Sequence, residues 1–357
     1  MVISNYNSHK IKVLNLVLIL LVLYIHSYYI EACDHPVALA LQKFTGNNGI
    51  ARVAVPLFFL ISGMLFFNGV TKVEQCFQKQ KKRVRSLLIP YLLWNVIFVL
   101  WYVVLQNLPG IGGFINSDMV GKVMGGSLFD GLKELCWTPA AFQLWFLRDL
   151  LAIILLAPLL FYLIRYSKWL SSIIVLIAMV LLVKVGFCAA IAYELNRIDG
   201  IAFFCIGGCI SLFSSLEQLD KWLTKPLVAI SAIIFFGNAV WQLFGTDVNV
   251  WYNSFTALTG CIVVWKSYDW VASCKALTSH FASLKLAIGY SFFIYLFHEP
   301  VFNIIKKIGL KVLGVHEWSL ILLYLVNPLI MCMVAIAFAK LLQRYTPKVY
   351  AVLVGGR

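Results

Sequence analysis

Two histidines, two arginines and two carboxylates stand in this chain where side chains of their type are costly. His26 lies near the far end of an apolar run, Val13 to Ile30. Arg52 opens a second apolar run, Trp145, Arg148 and Asp149 open another, and His298 and Glu299 interrupt a later one. Ionisable groups inside hydrocarbon are rare and mark functional sites by default. A neutral imidazole, which titrates near neutral pH, suits the role of general base. A guanidinium can stabilise a developing oxyanion, and a carboxylate can orient an imidazole. Arg52 and Trp145 are also candidates for substrate contact. Each residue has a plainer reading. Arg52 and Lys184 could snorkel to an interface, and His298 could be a packing residue. Arg148 and Asp149, adjacent on a helix, point about 100° apart and need not pair.

A second constellation is basic. Lys79-Gln80-Lys81-Lys82-Arg83-Val84-Arg85 precedes Ser86-Leu87-Leu88-Ile89-Pro90-Tyr91, where the chain re-enters an apolar stretch. Lys82 and Arg85 share a helix face. Guanidinium groups bind phosphate bidentately, so Lys82, Arg83 and Arg85 could hold a phosphorylated donor such as a coenzyme A thioester. The plainer reading is a positive-inside anchor beside lipid phosphates.

The elements that must position these residues are membrane helices. The 357 residues are 62% hydrophobic and 12% charged, and soluble domains carry about 25% charged residues. Apolar runs long enough to span a bilayer recur along the chain. They predict an all-α polytopic bundle in a single domain, 1–357, with no separate soluble module. Ten spans are expected, at roughly 12–30, 50–69, 87–107, 141–164, 170–192, 200–216, 226–244, 250–268, 285–306 and 318–342. The first is read as a retained helix and not a signal peptide. The 31–49 and 108–140 connections read as loops, with a short amphipathic helix near 128–137. Loop charge places the 70–86 connection and both termini in the cytoplasm; Lys306, Lys307 and Lys311 break that rule. Net charge is +14, and its placement in short loops points to lipid headgroups and not to nucleic acid. The nine cysteines are scattered, and Cys205 and Cys209 lack zinc-spaced partners, so no metal site or disulfide framework is expected.

This topology puts His26, Arg52, Arg148, Asp149, His298 and Glu299 in one layer of the outer half, with Lys184 at similar depth. Such charges must face the bundle interior or a water-filled cavity. Ser62-Gly63 near mid-membrane reads as a close helix contact.

The strings Leu23-Tyr24-Ile25-His26-Ser27, Pro56-Leu57-Phe58-Phe59-Leu60-Ile61-Ser62-Gly63, Lys81-Lys82-Arg83-Val84-Arg85-Ser86-Leu87-Leu88-Ile89-Pro90-Tyr91, Leu144-Trp145-Phe146-Leu147-Arg148-Asp149-Leu150 and Ser291-Phe292-Phe293-Ile294-Tyr295-Leu296-Phe297-His298-Glu299-Pro300 occur in that order. Together they resemble the membrane-bound acyltransferase 3 family. The resemblance covers essentially the whole chain. It implies a ten-helix bundle in a bacterial inner membrane, an acetyl or other short acyl group drawn from cytoplasmic acyl-coenzyme A, and a glycan or glycolipid hydroxyl as acceptor. The family's essential first-span histidine corresponds to His26, and its basic pair to Lys82 and Arg85. The reaction that the resemblance implies gives the polar layer its roles: His26 would deprotonate the acceptor hydroxyl or transiently carry the acyl group, Arg148 or Arg52 would face the oxyanion, and Asp149 or Glu299 would orient a histidine. Many members carry an arginine about three turns before that histidine; here the place holds Asn15, with Lys12 near enough to reach inward. The competing class is a transporter or flippase for a glycolipid or small anion, in which the polar layer would line the path and the basic string would be topological.

Overall fold

The computed structural model describes residues 3–46, 49–107, 127, 131, 138–184, 199–244 and 250–356. The expected helix near 128–137, the end of the fifth span and the side chain of Lys184 lie outside the described residues. Among the described residues thirteen helices follow in order: α1 (Asn5–His26), α2 (Pro36–Thr45), α3 (Ala54–Phe67), α4 (Val73–Asn107), α5 (Trp145–Ser167), α6 (Leu170–Lys184), α7 (Asp199–Phe213), α8 (Leu216–Trp222), α9 (Lys225–Phe244), α10 (Val250–Ser273), α11 (Lys275–Leu313), α12 (Glu317–Tyr345) and α13 (Pro347–Leu353). Short 3-10 turns at Ile30–Asp34, Ile50–Val53 and Phe142–Leu144 lead into α2, α3 and α5. Among the described residues seven helical stretches are long and apolar enough to cross a membrane, or eight if the bent α7–α8 pair counts as one.

Several boundaries differ from the hydropathy reading. The first helix starts at Asn5, where the Ser4 hydroxyl caps it, and stops at His26, four residues short of the apolar run. The 31–49 connection is largely helical, because Pro36 is pre-set for a first helical turn. The sixth expected span turns by 108° into α8, where Ser215 caps a new helix.

The interior is built on close backbone contact between α3 and α7. A Cβ on Gly63 would sit 2.1 Å from the Phe204 carbonyl oxygen, and one on Gly207 would sit 2.0 Å from that of Leu60. Small residues permit this approach, which replaces the hydrophobic drive that lipid cannot supply. Leu92, Val96, Leu159, Ile233, Leu329 and Met333 point outward, as a lipid-facing surface requires.

Two polar devices tie the ends of α1 to distant helices. Lys10, fully buried, lies 3.0 Å from Asp220 and 2.8 Å from Asp269, over the Trp265 ring. Lys266 also contacts both acids. At the other end the Ser27 hydroxyl donates to the Tyr324 carbonyl at 3.1 Å, and the Tyr24 hydroxyl to that of Leu325 at 3.2 Å.

Candidate active site

A cavity of about 490 Å³ runs between α1, α3, α4, α5 and α11. On α1 its wall takes Asn15, Ile19, Val22 and His26, one face at helical spacing. From Asn15 to His26 the helix rises about 16 Å, so the cavity follows α1 through half its length. Arg83 of α4, Arg52 and Trp145 also stand in the wall. Arg83 lies one turn beyond Lys79, which bonds carbonyls at the end of α3, while Arg52 directly precedes the first turn of α3, so the two cations in the wall stand toward opposite ends of the cavity. Ser62, Gln143 and Ser291 add polar points to walls otherwise mostly apolar and aromatic.

At the His26 end, the imidazole Nδ1 lies 3.4 Å from Glu299 Oε1. The His298 ring packs edge-on against His26 with centroids 5.0 Å apart, and Phe142 lies 5.9 Å away on another side. Glu299 is 7% exposed and His298 is fully buried. The other Glu299 oxygen accepts from Asn303 Nδ2 at 2.6 Å. A carboxylate only accepts hydrogen bonds, so its natural partner on His26 is a protonated Nδ1, which leaves the lone pair on Nε2. His298 Nδ1 lies 2.8 Å from the Tyr295 carbonyl oxygen. That nitrogen must therefore carry the proton, and Nε2 is a bare acceptor with no partner among the described residues. His298 stands behind His26 and outside the cavity wall, where it braces the catalytic candidate.

The chain presents Glu299 through a break in α11. Glu299 has extended backbone, φ −98° and ψ 139°, before Pro300. Proline has no N–H, so the Leu296 carbonyl loses its helical donor. Gln143 supplies the replacement: its Nε2 donates to the carbonyls of Leu296 at 3.1 Å and Glu299 at 2.9 Å. The Tyr295 hydroxyl in turn donates to the Gln143 carbonyl at 2.7 Å. Gln143 thus fixes the bend that aims Glu299 at His26. Sequence reasoning missed it, although it immediately precedes the Trp145 string; a glutamine carries no charge to mark it.

The remaining members of the expected layer separate. Arg148 and Asp149 are not in the cavity wall. They form an ion pair with each other, Nε and Nη2 both 2.8 Å from Asp149 Oδ1. Their Cβ atoms diverge by about 100° around the helix. A guanidinium is long enough to fold back across that angle. The cavity-facing arginine at this end is Arg52, from the 3-10 turn before α3.

The basic string divides by face. Arg83 lines the cavity together with Leu87, one turn further along α4. Lys81, Lys82 and Arg85 are exposed. Lys79 donates to the carbonyls of Phe66 and Asn68 and so caps the end of α3. Lys12 is exposed and Lys10 is committed to its two aspartates. Neither reaches inward to replace the arginine that Asn15 displaces, and Asn15 itself forms that part of the wall.

A family model described as an acyltransferase domain matches residues 9–353. The succinoglycan biosynthesis protein ExoH of Rhizobium meliloti (strain 1021) is 25% identical over 336 residues, 89% of this chain and 82% of that protein. No solved structure matches. A match over nearly the whole chain, with helices long and apolar enough to cross a membrane, identifies the protein as a multi-pass membrane protein of the acyltransferase 3 family.

Proposed function

We propose that this protein is a membrane O-acyltransferase that moves an acetyl group from cytoplasmic acetyl-coenzyme A to a hydroxyl of a cell-surface polysaccharide or its lipid-linked precursor, in a bacterial inner membrane. One observation carries the reading: a single cavity has a cation at one end, Arg83, and a carboxylate-backed imidazole at the other, His26 with Glu299. A donor with a phosphorylated head and a long thin arm matches that shape. Arg83, aided by Lys82 and Arg85 at the mouth, holds the phosphates. The arm lies along the α1 face between Asn15 and Val22 and brings the thioester to His26. The mostly apolar wall excludes water, which would compete as acceptor.

His26 Nε2 takes the proton from the acceptor hydroxyl as its oxygen attacks the thioester carbonyl. The tetrahedral oxyanion is met by Arg52. Collapse breaks the carbon–sulfur bond, and the departing thiolate takes the proton from His26. Glu299 stabilises the imidazolium between these steps. Arg148 and Asp149, paired with each other outside the cavity wall, are given no step in this scheme.

The test is transfer of labelled acetyl from acetyl-coenzyme A to endogenous glycan in membranes. His26→Ala, inserted normally, is expected to lose transfer. Wild-type transfer in that variant would overturn the proposal.

A further inference from the structure

Lys306 lies at the end of the molecule where the loop-charge rule expects no excess of lysines, and the acyl-transfer scheme leaves it without a task. Its ammonium is half-buried. It donates to the backbone carbonyl of His26 at 3.1 Å and to that of Tyr28 at 2.5 Å. It also sits 5.1 Å from the centre of the Tyr29 ring. Among the described residues no carboxylate lies within ion-pair distance of it, although Glu299 and Glu31 are within electrostatic reach. A lysine brought this deep normally takes an anionic partner. This one is held by neutral carbonyls at the end of the helix that carries His26.

The last carbonyls of an α-helix have no amide donors from within the helix, and a cation there is favoured by the helix dipole. Lys306 occupies that position on α1. It belongs to α11, two turns beyond Glu299. One helix therefore supplies both the carboxylate that faces the His26 ring and the cation that holds the His26 backbone. We propose that Lys306 is a positioning residue for His26. By clamping the α1 terminus to α11, it sets the ring at its 3.4 Å separation from Glu299 and keeps Nε2 turned to the cavity. The inference rests on the reading of His26 as the base.

The turn has other anchors. Ser27 and Tyr24 bond to α12, the Tyr29 amide donates to Gln42 at 2.9 Å, and Asn327 donates to the Tyr29 hydroxyl. Loss of Lys306 is therefore expected to leave the fold in place and to shift the imidazole.

The experiment compares Lys306→Met, Lys306→Gln and Lys306→Arg with wild type and His26→Ala in membranes that hold the endogenous glycan as acceptor, with detergent-purified samples for melting. It reads kcat, KM for acetyl-coenzyme A and the melting temperature. Misplacing a reacting group by about 1 Å can cost about a hundredfold, so kcat in Lys306→Met should fall roughly ten- to a hundredfold. KM should stay within about twofold, because Arg83 lies at the far end of the cavity. Lys306→Arg should recover most of kcat, and Lys306→Gln, with a shorter uncharged donor, should fall between. Three results would overturn the proposal: a folded Met variant with wild-type kcat, KM rising in parallel with the loss of kcat, or an Arg variant no better than Met. If neither Met nor Gln folds, Lys306 is structural and the proposal is also overturned. An inactive His26→Ala beside a fully active Lys306→Met refutes this inference alone; an active His26→Ala refutes the acyl-transfer reading itself.

Discussion

Replacing Glu299 by glutamine tests the dyad at its one charged contact. The change keeps the size of the side chain and an oxygen that can accept from His26 Nδ1, and it removes the negative charge. At the observed 3.4 Å separation, Coulomb attraction between an imidazolium and a carboxylate is about 5 kcal/mol at an effective dielectric of 20. The full value is not recovered, because the carboxylate also loses hydration and shares its charge with Asn303. About half, ~2.5 kcal/mol, corresponds to a loss of roughly seventyfold in kcat. KM for acetyl-coenzyme A should hardly move, since the proposed place for the donor head is the Asn15 end of the cavity, about 16 Å along α1 from His26. Asn303 is exposed and can turn its amide to match the new NH2 group, so the fold should survive. The assay is initial-rate transfer of labelled acetyl to the endogenous glycan in membranes, with the melting temperature of purified protein as a check on folding. Glu299→Asp should retain part of the rate, because it keeps the charge on a shorter arm. A folded Glu299→Gln enzyme with kcat within about threefold of wild type would mean that no imidazolium forms opposite this carboxylate, and the base assignment of His26 would fall with it.

Three further outcomes follow from the geometry. Arg83→Ala should raise KM for acetyl-coenzyme A by about tenfold, as loss of a charge-assisted phosphate contact does. Lys82→Ala with Arg85→Ala should raise it less, and equal effects in donor titrations would show that lining the cavity confers no advantage. Gly207→Ala should destabilise by at least about 1–3 kcal/mol, because the new methyl meets the Leu60 carbonyl oxygen at 2.0 Å; unchanged survival on heating in detergent would contradict the α3–α7 contact. Lys10→Met should cost about 3–5 kcal/mol, as stripping one member from a buried ion cluster does. It should be visible as a lower melting temperature that Asp269→Asn in the same chain partly restores.

The parts of the site that were legible in sequence are those in which a charge interrupts an apolar run. His26, Arg52 and the His298–Glu299 pair declare themselves because hydrocarbon makes them expensive, and depth counted along helices brings them to one level. That argument gives depth and no azimuth. It therefore could not separate Arg52, which faces the cavity, from Arg148, which folds back on Asp149, or Arg83 from Lys82 and Arg85 beside it. The burial of Lys10 was not legible for a different reason: its partners lie 210 and 259 residues away, and no local pattern reports contacts at that range. Gln143 and Lys306 were missed because they bind backbone carbonyls, which every residue possesses and which leave no trace in side-chain spacing. Both serve places where a helix loses its own donors, Gln143 at the break before Pro300 and Lys306 at the end of α1. The His26–Glu299 contact lies between these two places. The helix that ends turns His26 toward the cavity and the helix that breaks turns Glu299 toward His26, and each leaves a carbonyl that another side chain must satisfy. The polar residues around the dyad follow from that requirement as much as from the chemistry.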